Sequence, residues 1–133
     1  MTTNADITVY NRLYDPLVKL YRYRRTVIKG VWWHSDNRAA IQAGGVQAAD
    51  LYKVRIPAHA DFGGAEYVPP WAYTGADDTW TLQADDYICR GAMDTEIEKP
   101  ADLLKQSGRQ VFKVTGWADN RFGGLPHWRI EGV

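Results

Sequence analysis

The residues with most chemical potential in this chain are its acids, three histidines and a single cysteine. Acids gather at Asp77-Asp78, at Asp85-Asp86, and at Asp94, Glu96 and Glu98, which alternate like one face of a strand. Neighbouring carboxylates can share a proton or hold a cation. A calcium loop, however, alternates oxygen ligands around a glycine and ends on a distal Glu, and the stretch 77–83 lacks that order. Turn residues and solvated edge charges account for these acids more simply, because charge on a sheet edge discourages pairing with another chain. His34, His59 and His127 lie far apart, and none has a second His, Cys or carboxylate at zinc-type spacing. Cys89 sits inside a strand-like run and reads as a small core residue; with no second cysteine it has no internal disulfide partner. There is no Gly-x-Ser-x-Gly elbow, and the glycine pairs lack the Lys-Ser/Thr of a phosphate loop. These patterns give no catalytic, cofactor-binding or metal-binding residue, and the expectation is a protein that is not an enzyme.

Basic residues are more suggestive. Lys19, Arg22, Arg24, Arg25 and Lys29 fall in a stretch with no acid between Asp15 and Asp36, and Tyr21 and Tyr23 interleave with them. Cations beside aromatic rings can hold a nucleic-acid strand by charge and stacking. A dedicated binder is usually basic overall, whereas the formal net charge here is zero. On a strand Arg22 and Arg24 share one face, and Tyr21, Tyr23 and Arg25 the other. The neutrality hides an uneven layout. Residues 1–60 carry nine basic and four acidic groups, residues 61–102 two and ten, and residues 103–133 five and two. Either folding mixes these segments so that their fields cancel, or they mark polar interaction surfaces.

The elements that would carry these groups are mostly strands. A length of 133 residues fits one domain around one core, and 45% hydrophobic residues suffice to build it. The start, MTTNADITVY, lacks a basic region followed by an apolar run. No apolar run approaches the roughly 20 residues that cross a bilayer. Synthesis in the cytosol, without membrane contact, is expected. Asp6–Arg12, Tyr21–Trp33, Leu51–Pro57, Trp80–Leu82, Tyr87–Gly91, Val111–Ala118 and Trp128–Ile130 read as strands by alternation and β-prone composition. Within Tyr21–Trp33 the apolar positions change phase after Val27, which predicts a bulge or two-sided burial near Gly30. Pro100–Ser107 is the helix candidate, with Pro and Asp early and Gly108 beyond its end. The pattern predicts a mainly β fold, a small antiparallel barrel or sandwich with long loops and one short helix. Ile7, Val9, Ile28, Val54, Ile56, Ile88, Phe112, Val114, Trp128 and Ile130 form the expected core.

Two stretches, 34–48 and 58–79, lose the pattern yet hold apolar residues, among them Trp71 and Tyr73. Loops this long either cover the ends of a barrel or do a job. If they reach onto neighbours, the residues expected at an interface are Arg22, Arg24, Arg25, Trp71 and Tyr73, since large aromatics in desolvated pockets dominate interface energies.

ITVYNR (7–12), Tyr23 with RTVIKGVWW (25–33), VRIP (54–57) and VTGWADNRFGG-x-PHWRIEG at the end resemble an uncharacterised family of small proteins from the head–tail structural gene block of tailed phages and prophages. The likeness runs from Ile7 to Gly132, and Trp33, Trp117, His127 and Trp128 match its pattern. The resemblance implies a virion component made in the host cytoplasm. It further implies a head-completion, or stopper, protein of the neck that forms a ring of six copies and contacts other neck or tail proteins, with Arg22, Arg24 and Arg25 facing either acidic groups of a neighbour or DNA in the lumen. A tail-terminator ring is the neighbouring alternative, and a small nucleic-acid-binding protein the more distant one.

Overall fold

In a computed structural model the described residues are 2–42, 45–93, 96–97, 102–103 and 110–133, with side chains described outside 36–50. Eight strands follow one another: β1 Ala5–Asp15, β2 Leu20–Gln42, β3 Gly45–Pro57, β4 Glu66–Tyr67, β5 Thr79–Trp80, β6 Tyr87–Arg90, β7 Val111–Asn120 and β8 His127–Gly132. Six of them close a barrel in the order β1-β2-β3-β8-β7-β6. All of its pairings are antiparallel. The mainly β, antiparallel barrel expected from the alternation is therefore the observed fold.

Two long strands let the sheet turn back on itself. The first half of β2 pairs with β1, from Asp15↔Leu20 to Ala5↔Val31, and its second half pairs with β3 from Trp32↔Arg55 onward. β7 likewise leaves β6 after Lys113 and continues against β8. This divides the barrel into a first sheet (β1, early β2, β6, early β7) and a second (late β2, β3, β8, late β7). The hinge in β2 is Gly30, the extra residue between the pairs Asp6↔Lys29 and Ala5↔Val31. It adopts φ +84°, which only glycine takes at no steric cost, and its N–H donates to Asp6 Oδ1 at 3.1 Å. The expected bulge is present, with the change of buried phase falling between Ile28 and Val31.

All ten expected core residues are buried. They line the barrel with Val31, Trp33, Trp80 and Leu82. A smaller cluster lies outside the first sheet, where Met93, Ile97 and Leu103 cover Tyr10 and Cys89. Cys89 is a buried thiol outside any disulfide, as its strand setting suggested.

Two expectations need correction, and a third falls largely outside the described residues. The stretch 34–48 is not a loop over most of its length: β2 and β3 continue through it as a ribbon, paired from Asp36↔Leu51 to Gln42↔Gly45. β3 pairs with β8 only over Tyr52–Pro57, so beyond that the ribbon has two strands alone. Without a third strand, less imposes alternation on its sequence. Of the expected strand Trp80–Leu82, only Trp80 is in β5, which pairs in parallel with β4 outside the barrel. Of Pro100–Ser107, only Asp102 and Leu103 are described; both are helical, and the rest lies outside the described residues.

Candidate functional site

One mouth of the barrel collects the large apolar side chains that the core leaves out. The β1–β2 turn presents Tyr14, Leu17, Val18, Leu20 and Tyr21, with Leu17 93% and Leu20 64% exposed. The β7–β8 turn presents Phe122 (93%) and Leu125. Between the two runs the segment 58–79, tied at both ends. Near its start, Ala58 N donates to Pro126 O at 3.0 Å. Near its end, Gly75 packs against Leu13 and Arg24, and a Cβ built on Gly75 would lie 2.5 Å from Leu13 Cδ2. Trp71, 83% exposed on a 3-10 turn over Pro70–Ala72, falls between those anchors.

The same segment also plugs the barrel. Phe62 stacks on Trp80 with ring centroids 5.4 Å apart and meets Trp128 edge-on, and Tyr67 touches both indoles at 5.0 Å. Arg121 from the β7–β8 turn lies over Tyr67 and Trp128, held by two short bonds to Asp119. Covering the barrel and exposing Trp71 are thus done by different residues of one segment. A groove of about 860 Å³ runs beside the β1–β2 ribbon, lined among others by Leu13, Val18, Leu20, Tyr23 and Ile97.

The expected interface residues fare differently. Arg22, Arg24 and Arg25 lie on β2 beside this mouth, and each has an acid of its own chain. Arg22 Nε meets Asp15 Oδ2 at 2.9 Å, Arg24 Nη1 meets Asp77 Oδ1 at 3.7 Å, and Arg25 Nε meets Glu96 Oε1 at 3.1 Å. Arg25 also donates to Met93 O at 2.7 Å. Folding therefore mixes the basic and acidic segments, at least here. Trp71 is open to a partner. Tyr73 is half-buried; its hydroxyl is out of solvent without a hydrogen-bond partner among the described residues, and burial first, then the nearby Asp86 charge, push its pKa up to about 12. Leu17, Val18 and Leu20 are the residues the sequence reading missed. Their signal was an apolar PLVKL in a position the Asp15-Pro16 turn had marked as a loop.

The acids correct another expectation. Asp85, at φ +72°, is a turn residue bridged to Lys113 (3.2 Å) and Arg12 (3.7 Å). Asp86 is not a solvated edge charge but fully buried. Its carboxylate accepts from Arg12 N (2.8 Å), Asn11 Nδ2 (2.8 Å) and Gln83 Nε2 (3.1 Å). Asn11 also pairs with the backbone of Thr81 through both ends of its amide. The three donors favour the charged carboxylate, yet loss of solvent outweighs them and raises its pKa to about 7. The network clips the 81–86 connection to β1. Asp94 and Glu98 lie outside the described residues. Among the described residues there is no group of three or more His, Cys, Asp or Glu that could hold a metal ion. Among them, too, no helix is long and apolar enough to cross a membrane.

The chain belongs to a family of unknown function (DUF6751), whose model matches residues 1–133. No curated protein and no solved structure matches it.

Proposed function

We propose that this protein is a non-enzymatic structural part of a tailed phage or prophage particle: a head-completion protein that joins head to tail as a ring, with the barrel mouth as its docking face. The observation that carries this is the exposure of Tyr14, Leu17, Val18, Leu20 and Tyr21 together at the β1–β2 turn, with Phe122 and Leu125 exposed on the β7–β8 turn and Trp71 on the segment 58–79. Exposed apolar groups scattered singly need no explanation, whereas a collection of them marks a contact surface. Closure of the barrel fits this role, because it leaves less open strand edge for unspecific pairing. Contacts then fall to protruding parts, namely the β1–β2 turn, Trp71 and the β2–β3 ribbon. Rings join one face of a subunit to a different face of the next, and a barrel with an apolar mouth and a projecting ribbon has two such unlike faces. The family likeness noted in the sequence supplies the phage context and the six copies; it leaves a tail-terminator ring as the sister reading.

The test is made in an inducible prophage or phage carrying the gene. Changing Leu17 and Leu20 together to Asp, or Trp71 to Ala, gives filled heads without tails under the electron microscope. Tailed, infectious particles from a strain with the whole gene deleted would overturn the proposal.

A further inference from the structure

A second basic surface lies on the outer face of the second sheet. The register sets Trp32, Arg55 and Arg129 in one row across β2, β3 and β8, and His34, Lys53 and Glu131 in the next. Neighbouring members of a row are about 4.8 Å apart and the rows about 7 Å. His34, Lys53, Arg55, Arg129 and Glu131 are all exposed, so no described element covers them. Trp32 is half-buried and stacks parallel to the His34 ring, centroids 5.5 Å apart with 4° between planes. The Arg55 guanidinium lies 4.9 Å from the centre of the Trp32 ring.

Two features of this face cost stability without serving the fold. Arg55 stands directly opposite Arg129, and like charges in that position repel. Among the described residues Arg55 has no carboxylate partner, and a single carboxylate, Glu131, stands opposite Lys53 in the register and meets Arg129 at 3.8 Å, so the three cations share one acid. The stack of rings, meanwhile, ends on an exposed imidazole.

We infer that the outer face of the second sheet binds a single strand of nucleic acid, with phosphates along Lys53, Arg55 and Arg129 and a base continuing the Trp32–His34 stack. Charge complementarity selects a polyanion. The rings select one whose bases are free to stack, which a duplex does not offer. This site does not depend on the role proposed for the mouth.

Fluorescence anisotropy of the purified full-length chain with labelled oligothymidine and with a duplex hairpin of equal charge tests it. At low salt the single strand binds more tightly than the hairpin, and binding weakens steeply as salt rises. Changing Arg55 and Arg129 together to Thr weakens binding by at least about tenfold and flattens the salt slope by about one for each lost phosphate contact. Changing His34 to Ala also weakens it by about tenfold, with less effect on the slope. Glu131→Gln tightens it, a gain that misfolding cannot mimic. Three results overturn the inference: no binding at low salt, duplex bound as well as the single strand, or an equal loss when Arg22 and Arg24 are changed to Thr instead.

Discussion

Arg22, Arg24 and Arg25 on early β2, and Lys53, Arg55 and Arg129 on the second sheet, are basic clusters of equal size on one barrel. The first is conspicuous in the sequence, as a run free of acids. In the fold each of its members meets a carboxylate: Arg22 that of Asp15 across the β1–β2 hairpin, and Arg24 and Arg25 those of Asp77 and Glu96 from the acidic segment. The second is scattered over two strands some 75 residues apart in the chain, and no sequence window displays it. In the fold it becomes contiguous and stays largely unneutralised. A charge run along the chain is therefore poor evidence of a charged surface. What decides is which residues a sheet register brings into line, and whether the loops return a counter-charge.

The comparison presupposes that both clusters ride on one rigid barrel, and the largest expected effect concerns that. Phe112→Ala removes a ring packed between Trp33 and Tyr52 at 5.4 and 5.1 Å and lowers unfolding stability by about 3–5 kcal/mol, measured by urea denaturation. A loss below about 1 kcal/mol with an unchanged m-value shows that the barrel interior does not set the framework.

Next in size is a pH effect beneath the first cluster. Asp86 has a raised pKa in the folded chain, about 7 against 3.8 for the model carboxyl. The native state thus holds its proton more tightly than the unfolded chain does. The contribution to stability is full below the unfolded value and is lost as pH rises through the folded one. Between about pH 4 and about pH 7 stability falls by up to about 1.4 kcal/mol per unit from this group. Asp86→Asn removes that component from the pH profile of thermal unfolding. A profile identical in wild type and variant shows that Asp86 does not titrate in this range.

How much of this was legible in the sequence follows the same line. Strands backed by the core on one face announced themselves: Tyr52–Ile56 alternates, and Val54 and Ile56 do point inward. The phase slip in Tyr21–Trp33 announced Gly30. The continuation of β2 and β3 past Ser35 and Tyr52 was illegible because no third strand pairs with it there to fix a pattern in the chain. Asp86 was misread because a carboxylate in a turn and one buried under three donors look alike in sequence; only Asn11, some 75 residues earlier, tells them apart. The apolar mouth was legible in part. Trp71 stood out, while Leu17 and Leu20 passed as loop filling.

The smallest effects give the sharpest contrast, because they differ in sign. Arg22 sits 2.9 Å from Asp15 with most of its side chain in solvent. Arg22→Thr removes an exposed ion pair, worth about 0.2–1 kcal/mol before salt screening, so stability drops slightly and the drop shrinks at high salt. Arg129→Thr removes a charge that faces Arg55 across the sheet and keeps only a 3.8 Å contact with Glu131. Threonine is also well suited to a strand. Stability therefore rises, by about 0.2–1 kcal/mol, and the gain likewise shrinks as salt screens the repulsion. Arg55→Thr gains less, because it also gives up the contact with the Trp32 ring. A double-mutant cycle over Arg55 and Arg129 isolates the repulsion, provided each single change leaves the backbone in place. A coupling of zero, or a loss of stability from Arg129→Thr as large as that from Arg22→Thr, would mean that the second cluster is neutralised as fully as the first. The contrast between the two surfaces would then be gone.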